Sequence, residues 1–303
     1  MAGLNILVGF FVSVVVISHI LRWTAKKLLP SRLYRCTVSE LASSFQLCAC
    51  CLELRVLTDI GMWGGGFGSD VVMTLLFLLF LAHGFTFDGA SANSGVSLQD
   101  LLLRDAPVTD TVAKLLAQYT GMEAAKVLTK HYWALELTEF HMIQNMMAQE
   151  CSSALLTSLA QGFFVEGLCA FCYHLVLLRF QRTSLMYRVP VVALTVTLLV
   201  YAGGPYTGAF FNPMLALSVT FHCSGNTLQE YVVVYWGGAF LGMVLALFLY
   251  QGNIPLLFQK NLLYTQKGKY RTPKGKALQM SSAKVSDDVK SLSKKKSKAI
   301  QPK

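Results

Sequence analysis

The sequence predicts an all-α membrane protein: an inverted repeat of 3+3 transmembrane helices with two re-entrant half-helices, plus an extra N-terminal hydrophobic helix. Three observations carry this. The 303-residue chain is 54% apolar and only 14% charged, with mean hydropathy +0.49, whereas soluble domains carry about 25% charged residues. Apolar runs recur along it that are long enough to cross ~30 Å of hydrocarbon, which takes about 20 helical residues. Two short stretches, Gly89-Ala90-Ser91-Ala92-Asn93 and Gly208-Ala209-Phe210-Phe211-Asn212, each follow such a run and place a Gly-Ala pair ahead of an Asn. A buried Asn at the same place in two membrane-embedded halves is costly unless it serves a ligand or a pore.

Residues 1–35 open the chain with the apolar run 4–21 and a basic loop holding Arg22, Lys26, Lys27, Arg32 and Arg35. The run lacks a basic leader and a small-residue cleavage site, so it reads as a helix rather than a removed signal peptide. Excess Lys/Arg in a short loop marks the cytoplasmic side. Residues 260–303 carry 13 Lys/Arg against two Asp, a charge of +11, which leaves the preceding 259 residues near neutral. Their Lys, Ser, Gly and Gln composition is that of a disordered cytoplasmic tail, with anionic lipid headgroups as the alternative partner. Nothing in it calls for nucleic acid.

An even number of crossings separates the basic loop from the tail, and six fit: 36–57, 71–87, 107–128, 159–178, 189–202 and 231–251. The first and third are interrupted by Glu40, Glu53, Arg55, Lys114, Glu123 and Lys126. The halves are then 36–128 and 158–259. They are joined by 129–157, where Tyr132, Trp133, Leu135, Leu137, Phe140, Ile143 and Met147 suggest an interfacial piece. Three helices per half put the repeats in opposite orientations. Glu40 precedes Asn93 by 53 residues and Glu166 precedes Asn212 by 46, each near the start of its half.

Asn212-Pro213-Met214 begins a helix inside the membrane, since Asn is a favoured N-cap and Pro a favoured first helical residue. The stretch 213–222 spans half a bilayer, so it is a re-entrant half-helix enclosed by protein or a water-filled cavity. Asn93 heads a matching piece, 94–103, with Ser94 and Gly95 following it. Two half-helices meeting by their N-termini aim two positive dipole ends at one point. A neutral hydrogen-bonding solute is welcome there and a cation is not.

The eight cysteines (36, 48, 50, 51, 151, 169, 172 and 223) lie mostly in apolar segments without His or acidic residues at metal-ligand spacing. They read as buried free thiols, with no metal and no cofactor expected. His83, His131, His141 and His174 form no catalytic constellation, so no enzymatic activity is expected.

Over about residues 36–252 these features resemble the aquaporin family. Thr207 to Met214 is similar to its second Asn-Pro-Ala box and Gly89 to Asn93 to its first. Glu40 and Glu166 match the acidic residues that support the boxes. Ala117-Gln118-Tyr119-Thr120-Gly121 resembles a third-helix motif, and Trp236 to Gly242 a sixth-helix motif with Ala239 in place of Pro. Cys223, nine residues beyond Met214, resembles the hallmark cysteine of the superaquaporin branch. The resemblance implies a homotetramer with one pore per subunit in an intracellular, endoplasmic-reticulum-type membrane. It also places the selectivity filter at Leu215, Ala209, Val200 and either Met73 or Phe77. Leu215 stands where the family has an Arg. The implied filter is apolar, which favours slow water flux with tolerance of glycerol or hydrogen peroxide. A poorly conducting protein kept for organelle homeostasis is the alternative.

Overall fold

A computed structural model describes residues 2–61, 68–147, 152–221 and 223–257. The chain divides into units Met1–Leu262 and Leu263–Lys303. The second, with the expected basic tail, lies outside the described residues. The first unit is helical: α1 (Ala2–Leu28), α2 (Arg32–Gly61), α3 (Ser69–Thr86), α4 (Ser94–Leu102), α5 (Val108–Trp133), α6 (Glu139–Met147), α7 (Leu159–Phe180), α8 (Leu185–Thr207), α9 (Pro213–Ala216) and α10. A π-helical stretch, Leu217–Phe221, prolongs α9. Helix α10 runs Leu228–Gln251 and has π turns over Tyr231–Gly238. Among the described residues no β-strand occurs.

Local chemistry sets the helix ends. Ser158 caps α7 by accepting from the Gln161 backbone, and Thr227 and Glu230 form a capping box on α10. Gly208 at φ 81° closes α8 and Gly252 at φ 68° closes α10, in the left-handed region that glycine reaches without a Cβ penalty.

The two halves repeat one packing scheme. Helix α2 packs on α5 as α7 packs on α10, and α3 meets α8 between them. Each pair closes where a glycine meets the carbonyl of the residue that follows a buried carboxylate. A Cβ on Gly121 would lie 2.3 Å from the Leu41 carbonyl oxygen, and one on Gly242 would lie 2.0 Å from that of Gly167.

Among the described residues six helices (α1, α2, α3, α7, α8 and α10) are long and apolar enough to cross a membrane. The expected crossing 107–128 corresponds to α5, which is not among them and carries Asp110, Lys114, Glu123, Lys126 and Lys130. Three of those charges are paired inside the fold, Lys114 with Asp100 at 3.5 Å and Lys126 with Glu123. The N-terminal helix breaks the symmetry of the halves. Leu7, Phe10, Phe11 and Val14 of α1 share a core cluster with Leu47, Cys48 and Leu54 of α2. As a result 72% of the apolar window of α2 is buried, against 33% for its counterpart α7.

Candidate functional site

Each carboxylate gathers the loop that precedes its half-helix. Glu40 accepts from the backbone N–H of Ser91 and of Ala92, both at 3.0 Å, and from the Gln118 amide at 3.1 Å. Glu166 accepts from the Thr207 hydroxyl at 2.6 Å and from the N–H of Phe210 at 3.1 Å and Phe211 at 2.6 Å. The paired donors stand two and one residues before each Asn. Both carboxylates are buried, so these bonds offset their desolvation and hold strained backbone. Ala92 and Phe211, just before the two Asn residues, have φ of 50° and 34°, conformations that cost on the order of 1–3 kcal/mol in non-glycine residues.

So braced, the two boxes meet. Asn212 Nδ2 donates to the Ala92 carbonyl at 2.8 Å and Asn93 Nδ2 donates to the Phe211 carbonyl at 3.4 Å, a reciprocal pair across the repeat. The Ser94 N–H and hydroxyl both lie 3.4 Å from Asn212 Oδ1. Capping differs from the expectation. Asn93 Oδ1 accepts from the Gly95 N–H at 2.8 Å and caps α4, whereas the Asn212 side chain makes no cap bond to α9. Its oxygen is turned to the other box, and Pro213 at the first helical position brings no N–H of its own.

A cavity of about 1120 Å³ is lined by residues of both boxes. Asn93 and Asn212 line it, together with His83, Phe87, Ser91, Arg55, Lys126 and Cys223. Leu215, Ala209 and Val200 are all on its wall. Of the two alternatives on α3, Met73 is on the wall, and it packs in the same apolar cluster as Leu215, Val200 and Met214. Pro213 is buried behind the boxes, its carbonyl accepting from the Tyr231 hydroxyl at 3.0 Å.

Several wall and mouth features were not legible in the sequence. Glu53, an interruption of an apolar run by composition, is buried and accepts from Trp133 Nε1 at 2.7 Å and pairs with His141 Nε2 at 2.7 Å. It thereby pins α5 and α6 to α2. Arg55 donates to the Val219 carbonyl at 2.9 Å and the Ser152 carbonyl at 3.3 Å. Glu123 accepts from Ser218 at 2.9 Å on the π-helical stretch. The connector 129–157 reaches the cavity, since Gln144, Met147 and Ser152 to Ala154 line it. Its last residues bond to the loop after α9, with the Ser153 N–H donating to the Ser224 carbonyl at 3.0 Å.

Six cysteines are free thiols as expected: Cys36, Cys48, Cys50, Cys51, Cys169 and Cys172. Cys223 is not; it is disulfide-bonded. Spacing alone could not show this, because the fold of the loop after α9 supplies the proximity a disulfide needs. Cys151 lies outside the described residues. Among the described residues no group of three His, Cys, Asp or Glu is placed to hold a metal ion.

Comparison with known proteins bears on the same region. The family profile described as Major intrinsic protein matches residues 27–250. The chain is 54% identical to Aquaporin-12 of Mus musculus over 91% of its own length and 95% of that protein's. It is 32% identical to Aquaporin-11 of Homo sapiens over 84% and 92% of the two chains. The X-ray structure of the aquaglyceroporin from Plasmodium falciparum superposes with a TM-score of 0.57 at 19% identity, covering 73% of this chain and 96% of that one, a likeness of fold. With paired half-helices, two carboxylate braces and this extent of similarity, the chain belongs to the major intrinsic proteins, the aquaporin family of membrane channels, in its superaquaporin branch.

Proposed function

We propose that the protein is a channel of intracellular membranes for passive permeation of water and small neutral solutes such as glycerol and hydrogen peroxide. The observation that carries this reading is a cavity whose lining includes both Asn boxes together with Met73, Val200, Ala209 and Leu215. Pore diameter, lining hydrogen-bond groups and fixed dipoles set selectivity in such pores. Here Met73, Val200, Ala209 and Leu215 make the proposed filter apolar, so water gains few hydrogen bonds in crossing it while the stems of small alcohols are tolerated. The similarity to an aquaglyceroporin fold points the same way.

The proposed orientation puts the loop between α1 and α2 and the basic tail in the cytosol, and the Cys223 loop in the lumen. A disulfide fits an oxidising lumen. A homotetramer in an endoplasmic-reticulum-type membrane, without cofactor, completes the proposal. A second reading, a poorly conducting protein with a role in organelle homeostasis, is favoured by the mutual satisfaction of the boxes. Each Asn amide donates to the other box's backbone, which leaves fewer donors for a permeant.

Reconstituted liposomes decide between them by stopped-flow swelling with water, glycerol and peroxide in parallel. Slow water flux with measurable glycerol and peroxide entry is expected. Fast water flux without glycerol or peroxide entry would sink the selectivity proposed, and no flux of any of the three leaves the second reading. Leu215→Arg, which puts a guanidinium on the cavity wall, is expected to lower glycerol and peroxide entry several-fold, read in the same assay. Unchanged entry would remove Leu215 from the filter.

A further inference from the structure

The N-terminal helix carries a buried cation. Arg22, on α1, is 2% exposed, and among the described residues it makes no ion pair. Its Nη1 donates to Ser43 Oγ at 3.1 Å and its Nη2 to Gln46 Oε1 at 2.8 Å. The guanidinium also lies 6.0 Å from the centre of the Phe87 ring. The bond to Gln46 orients that amide, because a guanidinium offers only donors and therefore meets the oxygen.

With Oε1 committed to Arg22, the Gln46 nitrogen faces two further groups, Thr86 Oγ1 at 3.1 Å and His83 Nδ1 at 2.9 Å. The Thr86 hydroxyl spends its own hydrogen on the Ala82 carbonyl at 2.7 Å, so it accepts from Gln46. Both amide hydrogens are then assigned, and His83 Nδ1 is an acceptor. A neutral imidazole with an acceptor at Nδ1 carries its hydrogen at Nε2. His83 stacks on Phe87 at 5.0 Å with 16° between the planes, which holds the ring's direction, and the residue lines the cavity. Phe80 and Phe87 lie against the ring, with centroids 5.7 and 5.0 Å away, so Nε2–H is a donor among apolar neighbours.

We propose that Arg22, acting through Gln46, is a positioning residue that locks His83 in its Nε2–H tautomer and so makes it a fixed hydrogen-bond donor to the cavity. The N-terminal helix then acts on the cavity wall from behind, through Gln46 and His83, and is not only a membrane anchor. The ligand class this donor suits is a neutral acceptor, such as water or an alcohol oxygen. That last clause rests on the channel reading above; the tautomer assignment does not.

The test is nitrogen NMR of the full-length protein, labelled with 15N-histidine and held in nanodiscs at pH 7, with the His83 signals identified by their loss in His83→Asn. Wild type should show the Nε2–H tautomer alone, Arg22→Met a mixture of tautomers, and Arg22→Lys, which restores a donor to Gln46, a return to the single form. Gln46→Glu serves if Arg22→Met does not fold, because a carboxylate at that position accepts from the ring and should move the hydrogen to Nδ1. An Nδ1–H signal in wild type, or an unchanged tautomer in Arg22→Met or Gln46→Glu, overturns the proposal. Liposome flux from the same preparations separates the two readings. Several-fold slower water entry in Arg22→Met, recovered in Arg22→Lys, supports the donor's part in permeation, whereas a single wild-type tautomer in a protein that passes no solute overturns the channel reading alone.

Discussion

Glu166→Ala is expected to destroy the second half of the pore and most of the stability of the fold. Among the described residues the carboxylate is the sole acceptor for the N–H groups of Phe210 and Phe211, and it also takes the hydrogen of Thr207. Glu166 and Thr207 are fully buried. Stranding a buried donor costs about 1–3 kcal/mol, so three together amount to roughly 5 kcal/mol. The loop they leave is itself strained: Ala209 and Phe211 have φ of 46° and 34°, and the carboxylate's bonds to Phe210 and Phe211 help to hold it there. Against a total stability of about 5–15 kcal/mol for a typical domain, the loss should show as a large fall in the temperature at which detergent-solubilised protein loses its monodisperse peak. Any protein that survives should pass no solute. Glu40→Ala is the matched experiment in the first half. If Glu166→Ala instead folds and conducts like wild type, the carboxylates are not braces.

Much of this site could be read from one strand of text because its determinants are local or repeated. Helix α9 begins where Asn212-Pro213 says it must, and α8 ends on Gly208 four residues earlier, each governed by neighbours in the chain. The pairing of Glu40 with the first box and Glu166 with the second was legible because the fold states it twice at similar spacing. What stayed hidden depends on register between distant segments. Nothing near Asn212 tells that its amide reaches the carbonyl of Ala92, 120 residues away, and this long-range bond is what draws the side chain off its cap. Glu53 looked like a flaw in an apolar run for the same reason. Its partners Trp133 and His141 are 80 and 88 residues downstream, and a buried charge with two such partners is compatible with a membrane helix where a lone one is not. The disulfide at Cys223 belongs with these, since only the folded loop supplies the proximity a disulfide needs. The role of Arg22 was likewise invisible, because a basic residue at the end of an apolar run reads as a topogenic charge until its contacts with Ser43 and Gln46 are known.

Gly242→Ala should reverse the usual effect of adding a methyl group to a helical glycine. Alanine is favoured over glycine within helices by about 1 kcal/mol, and at Gly9 of α1, where a Cβ meets nothing within 4 Å, Gly9→Ala should be neutral or mildly stabilising. At Gly242 the same methyl would lie 2.0 Å from the Gly167 carbonyl oxygen and 2.9 Å from the Phe171 nitrogen. Those are backbone atoms of α7, which cannot rotate aside, so α10 must move off its partner. Overpacking of this kind costs about 1–3 kcal/mol when side chains can yield, and a rigid backbone puts the cost at or above the top of that range. The displacement also reaches the pore. Gly167 follows Glu166 directly, and a shift of α7 there stretches the bonds to Phe210 and Phe211 on which the second box depends. Gly121→Ala should act on the first half in the same way, through the Leu41 carbonyl oxygen 2.3 Å from the new Cβ and the adjacent Glu40. Thermal unfolding followed by fluorescence-detected size exclusion distinguishes the cases. A fall of many degrees in both pore-side variants, with Gly9→Ala unchanged or higher, is expected; equal curves for Gly242→Ala and Gly9→Ala would mean that α7 and α10 are not in backbone contact. The two helix pairs then explain why small residues stand where they do: closeness of the helices sets the height of each carboxylate, and the carboxylate sets the height of each Asn.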